Sequence, residues 1–135
     1  MSVRQSRRQI LFVEGHDDTR EVVKLLLEQA GYDVATADSV AHGFELVTDQ
    51  FFDLYLLDTR LPDGTGIDLC HQIRALDQKT PIIFYSAEAY EFSKQRALKC
   101  GAQEYVTKPE FEGLPEAIAR HLPPRSLTEN NHLGI

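Results

Sequence analysis

Long apolar runs are absent from the sequence. No stretch approaches the ~20 consecutive apolar residues that span a bilayer, and no apolar segment follows the arginines near the N-terminus, so neither a membrane span nor a secretory signal is indicated. The chain is therefore expected in the cytoplasm. Cysteine is scarce as well. Cys70 and Cys100 are the only 2. They stand far apart in sequence, without cysteines or histidines at zinc-binding spacing, and both read as small buried hydrophobes. Positive charge is in deficit: 14 basic against 21 acidic residues give a formal charge of −7, which repels a phosphate backbone and makes nucleic acid a poor direct partner. The one basic concentration, Arg4, Arg7 and Arg8, reads as a solvated tail. With only 6 prolines, 42% hydrophobic and 26% charged residues, the composition excludes disorder and low-complexity sequence.

What is present is one foldable unit, since 135 residues match a single domain of roughly 100–200. From Gln9 onward, short β-rich apolar runs alternate with segments of helical periodicity, the rhythm of a parallel sheet covered by helices. Ile10 to Val13 is the first strand. Its helix presents Val22, Val23, Leu26, Leu27 and Ala30, begins at Asp17 or Asp18 and stops at Gly31. Tyr32 to Ala37 alternates like a strand, and Ser39 is placed to cap a helix with Val40, Phe44 and Val47. Leu54 to Leu57 reads as a central strand buried on both faces, followed by a turn-rich loop, Leu61 to Gly66, and a helix marked by Ile67, Leu69, Cys70, Ile73 and Leu76. The fourth pair is Pro81 to Tyr85 with a helix over roughly Glu88 to Lys99, its thin face made by Ala89, Phe92, Ala97 and Cys100. The fifth is Glu104 to Thr107 with a helix carrying Leu114, Ile118 and Leu122, ended by Pro123 and Pro124. Five βα units with right-handed crossovers predict an α/β, flavodoxin-like, doubly wound parallel sheet in the order 2-1-3-4-5, with helices on both faces. The domain runs 8–122, and 1–7 and 123–135 are expected to be flexible tails.

In such a sheet ligands bind beyond the carboxyl ends of the strands, so the first polar residue after each apolar run carries the functional information. Those residues are Glu14, Asp58, Ser86 and Lys108. Two carboxylates, a hydroxyl and an amine in one crevice suit phosphoryl chemistry. A carboxylate such as Asp58 can attack phosphorus if the approaching anions are neutralised by a divalent cation and fixed donors. Lys108 and Ser86 supply donors, while Glu14 and Asp58 are the carboxylates on offer to magnesium. No G-x-G-x-x-G or Walker loop follows the first strand, which argues against a nucleotide or flavin binder, and Ser86 has no histidine at a comparable strand end to make a hydrolase.

Three segments, Leu56 to Gly66, Pro81 to Ala87, and Gly101-Ala102 with Tyr105 to Pro109, occur in order at receiver spacing. On them the chain resembles a receiver domain of the response-regulator family, the phospho-accepting half of two-component signalling. The resemblance implies that Asp58 accepts a phosphoryl group from a sensor histidine kinase or phosphotransfer protein, making the chain a signalling phospho-acceptor rather than a conventional enzyme. It further implies that the backbone carbonyl of Arg60 is a Mg2+ ligand beside Glu14 and Asp58. Lys108 would contact the phosphoryl group and Ser86 would swing to hydrogen-bond it, coupled to a rotamer change of Tyr105. The output surface would be the fourth helix, fifth strand and fifth helix. The output partner, and pairing with a second copy, stay open. Read locally, Ser86 equally suits a helix N-cap and Tyr105 ordinary edge packing. Arg60 and Glu88 are expected to flank the entrance to Asp58, and read either as a pair across it that slows water attack on an acyl phosphate or as an exposed ion pair only.

One departure stands out. Receivers carry two adjacent acids after the first strand, and here the pair reads Glu14-Gly15. Loss of a charged ligand weakens a magnesium site. The alternative reading is therefore a degenerate receiver that works by phosphorylation-independent protein binding. His16, Asp17 and Asp18 follow directly, leaving open a compensating carboxylate, or His16 as a ligand to a transition metal.

Overall fold

The structure, a computed structural model, describes residues 7–122; apart from Arg7, both expected tails lie outside the described residues. The elements run β1 (Gln9–Val13), α1 (Asp17–Gln29), β2 (Asp33–Ala37), α2 (Val40–Asp49), β3 (Leu54–Leu57), β4 (Arg60–Leu61), β5 (Gly64–Thr65), α3 (Gly66–Leu76), β6 (Ile82–Ser86), α4 (Glu91–Lys99), β7 (Glu104–Thr107) and α5 (Leu114–His121). The main sheet is parallel throughout in the order β2-β1-β3-β6-β7. This is the 2-1-3-4-5 order expected from the sequence, because β4 and β5 form a separate antiparallel ribbon of two residues each. Among the described residues no helix is long and apolar enough to cross a membrane.

Alternation along the central strands divides the core in two. Leu11 and Val13 of β1, Tyr55 and Leu57 of β3, and Ile82 and Phe84 of β6 face Val40 of α2, Leu69, Cys70 and Ile73 of α3, and Ala97 of α4. Their neighbours Ile10, Phe12, Leu54, Leu56, Ile83 and Tyr85 face Val23 and Leu27 of α1 and Leu114, Ala117 and Ile118 of α5. Each such side chain, fully buried, contributes about 1.5–3 kcal/mol, which is why these strands read as unbroken apolar runs.

Local chemistry sets the helix ends. His16 rather than an aspartate caps α1, its side chain accepting from the Thr19 N–H, and Ser39 caps α2 as expected. Thr65 and Asp68 form a reciprocal capping box at the start of α3. Gly66 is required by close approach: a Cβ there would lie 2.0 Å from the Asp58 carbonyl oxygen, since the Gly66 N–H donates to Thr59 at 2.9 Å and folds the ribbon back onto β3.

Some expectations change. Val22, Leu76 and Phe92 are 50%, 61% and 62% exposed, and Ala30 and Ala89 are also on the surface. Helix α4 starts at Glu91, three residues after the expected Glu88, and buries only Ser93 and Ala97. Its face is too narrow for periodicity to assign. Cys100 is partly exposed rather than buried, and its sulfur lies 2.6 Å from that of Cys70, so two cysteines distant in sequence are neighbours in space.

Candidate functional site

Backbone hydrogen bonds carry the parallel register past the ends of the strands. Glu14 N–H donates to Ala37 at 2.9 Å, Asp58 N–H to Val13 at 3.0 Å and Lys108 N–H to Ser86 at 2.8 Å. This aligns Glu14, Asp58 and Lys108 along one edge, and their side chains converge. The Lys108 ammonium lies 2.8 Å from Glu14 Oε1 and 3.2 Å from Asp58 Oδ2. Asp58 Oδ1 accepts the Thr59 N–H at 2.7 Å, and Glu14 Oε2 accepts the His16 N–H at 3.1 Å. Glu14 Oε1 is buried without an aligned hydrogen-bond donor, so its contact with Lys108 is an ion pair rather than a well-directed hydrogen bond.

Two acids share one cation here, and the charge balance follows. Burial and then the adjacent Glu14 push Asp58 up to about 6, against the opposing pull of Lys108. Burial works against the Lys108 charge, but its close contact with Glu14 and the charges of both acids outweigh that and raise it above the ordinary lysine value.

A hydroxyl cluster adjoins the acids. Ser86 Oγ lies 2.5 Å from Thr59 Oγ1 and accepts the Glu88 N–H at 3.0 Å. Tyr105 donates its O–H to the Glu88 carbonyl at 2.5 Å and stacks on Phe84, tying β7 to the β6–α4 connection. Ser86 therefore reaches toward Asp58 through Thr59, a residue the sequence reading did not single out; its position directly after the strand-ending acid was the available signal. Nor does Ser86 cap the fourth helix, whose N-cap is Tyr90 without a side-chain hydrogen bond. Arg60 Nε donates to Glu88 Oε2 at 2.8 Å with the Arg60 side chain 83% exposed, so the two residues form an exposed ion pair.

The metal donor set is correspondingly lean. Among the described residues, no group of three or more His, Cys, Asp or Glu side chains is placed to hold a metal ion. His16 is committed to capping α1, and Asp17 turns outward to Arg20 at 2.5 Å. Neither replaces the missing acid. Glycine at position 15 is not a steric necessity: a Cβ would meet Pro62 Cδ at 3.2 Å, with the nearest backbone atom, Asp38 O, at 3.7 Å. The acids the crevice itself brings together are Glu14 and Asp58, and the buried Glu14 Oε1, without an aligned donor, is an oxygen of the kind a hard cation takes.

A five-stranded parallel sheet of this order with five covering helices is the CheY-like flavodoxin fold. The model of the response regulator receiver domain matches residues 10–119, so the chain belongs to that family and to two-component signal transduction. Among curated proteins it is 36% identical over 118 residues to the response regulator protein PilR of Pseudomonas aeruginosa, covering 87% of this chain and 26% of that protein. It is 36% identical over 111 residues to the transcriptional regulatory protein DltR of Streptococcus agalactiae, covering 82% and 49%. The chain thus spans half or less of these two relatives. Among solved structures, the response regulator protein TrrA of Thermotoga maritima in complex with Mg2+ and BeF superposes with a TM-score of 0.78 at 28% identity, covering 85% of this chain and 99% of that one. The non-phosphorylated HemR receiver domain of Leptospira biflexa gives 0.80 at 31% identity, covering 89% and 100%.

Proposed function

We propose that Asp58 is the phospho-acceptor, taking a phosphoryl group from a phosphohistidine of a sensor kinase or phosphotransfer protein. The observation that carries this is the Lys108 ammonium held between the Glu14 and Asp58 carboxylates at the carboxyl edge of the sheet. An Asp58 oxygen attacks phosphorus in line, the P–N bond breaks, the imidazole leaves with a proton, and an acyl phosphate forms at Asp58. Lys108 follows the new charge from the carboxylate to the phosphoryl oxygens. Ser86 and Thr59, adjacent to Asp58, supply hydroxyl donors, and their link to Tyr105 through Glu88 offers a route by which the new charge biases the α4, β7 and α5 surface toward an output partner. Glu14, Asp58 and the Arg60 carbonyl would hold Mg2+, which supplies neutralisation of the transferring phosphoryl group.

The second reading, a phosphorylation-independent interaction module, draws on Gly15: without a side-chain ligand there, Lys108 neutralises the carboxylate pair alone. A magnesium titration followed by a small phosphoramidate donor, read by intact mass on wild type and Asp58→Ala, separates them. Added phosphate mass on the wild type alone supports phospho-acceptance. No gain at saturating magnesium supports the module.

A further inference from the structure

Cys70 and Cys100 are separated by 30 residues yet meet side by side. Cys70 lies inside α3 with no exposed surface, and its thiol reaches the Cys100 carbonyl at 3.4 Å. Cys100 caps the C-terminal end of α4 and is partly open to solvent. Arg74 is fixed next to it, donating from Nη2 to the Gly101 carbonyl at 2.8 Å, and Gly101 is the residue that allows this approach, since a Cβ there would lie 2.8 Å from Arg74 Nε. The pair thus joins a cysteine that is partly open to solvent, with Arg74 bonded to the residue after it, to an enclosed cysteine whose sulfur touches its own. The acidity follows that division: the Cys70 thiol and then, against burial, the charges of Arg74 and Arg96 lower Cys100, while Cys70 is held protonated by its neighbour and by burial.

We propose that Cys70 and Cys100 form a redox-controlled staple between α3 and α4, closed by a hydroperoxide. The Cys100 thiolate attacks the outer peroxide oxygen, the O–O bond breaks and the alkoxide or hydroxide leaves with a proton, giving a sulfenic acid at Cys100. The Cys70 sulfur then attacks the Cys100 sulfur and displaces water, which carries off the Cys70 proton. The sum is two thiols and one hydroperoxide converted to one disulfide, one alcohol or water from the peroxide, and one further water. The staple acts on the helix with least hold on the core, because α4 buries only Ser93 and Ala97 and has no side-chain N-cap. Its effect extends to the cleft of about 390 Å³ beside Asp58, which Ser93 and Arg96 of α4 line with Thr59, Arg60 and Glu88.

The test is titration of the reduced full chain with hydrogen peroxide, followed by alkylation in denaturant, intact mass and peptide mapping. The expected product is a monomer lighter by two hydrogens, with a Cys70–Cys100 cross-linked peptide and neither thiol alkylated. Amide exchange in α4 should slow by about tenfold or more on oxidation. Cys70→Ala should instead leave Cys100 trapped by dimedone as the sulfenic acid. Because none of these readouts involves phosphate, they stand whatever happens at Asp58. Thiols that both remain alkylatable, oxygen added without a cross-link, or a cross-link only between two chains would overturn the proposal. The wild-type measurement decides alone if Cys70→Ala does not fold.

Discussion

Glu14 and Lys108 form the closest charge contact of the crevice, 2.8 Å between a carboxylate that is 1% exposed and an ammonium arriving from the far edge of the sheet. Neither charge is tolerable there alone. Because Asp58 also leans on the same ammonium, the crevice carries one more negative than positive charge at neutral pH, a shortfall that an incoming cation would relieve.

Removing the shared cation should cost more than losing an ordinary surface pair. Lys108→Met leaves two adjacent buried carboxylates, and the expected loss of stability is about 2–4 kcal/mol at pH 8, reduced from the fully buried case by the partial exposure of the lysine. At pH 5 the loss should shrink, because a proton can then occupy Asp58. Urea denaturation at the two pH values checks this; equal losses at both would contradict the shared-cation account.

Asp58 itself should be a stability liability at neutral pH. Its folded pKa, raised by burial and Glu14 to about 6 from 3.8, means that the folded state binds the proton more tightly than the unfolded chain between those values. Stability contributed by the protonated acid is thus present below the lower value and lost as pH rises through the upper one. Asp58→Asn should therefore stabilise the protein by about 1–3 kcal/mol above pH 7 and by almost nothing below pH 4. Thermal unfolding of both proteins across that range measures it, and an asparagine variant less stable at pH 7.5 would run against the assignment.

Gly15 is replaceable on steric grounds, with only the Pro62 ring needing to give slightly. Gly15→Asp should strengthen Mg2+ binding by about tenfold or more by adding a charged oxygen ligand. Calorimetric titration with the metal alone reads the change. An unchanged Kd would mean that the added carboxylate does not reach the crevice.

The sheet was legible because its central strands, Leu54 to Leu57 above all, are buried on both faces and leave no polar residue to disguise them. Strand ends were equally legible, and with them Glu14, Asp58, Ser86 and Lys108, since a charge closing an apolar run is costly to bury without a partner. The β4–β5 ribbon was not, as two residues per strand carry no period. Helix α4 was misplaced because its buried side is Ser93 and Ala97, a polar and a small residue, while the bulky Phe92 and Leu98 face outward. The Thr59–Ser86 hydroxyl contact and the meeting of Cys70 with Cys100 arise only when distant segments are brought together, and neither leaves a local pattern.

The identity of the phospho-acceptor is tested most directly by trapping the acyl phosphate chemically. Wild-type protein treated with phosphoramidate and Mg2+, then reduced with borohydride and digested, should yield homoserine at position 58 and nowhere else. Homoserine at another aspartate, or none in either the wild type or Gly15→Asp at saturating magnesium, would contradict phosphoryl transfer to Asp58.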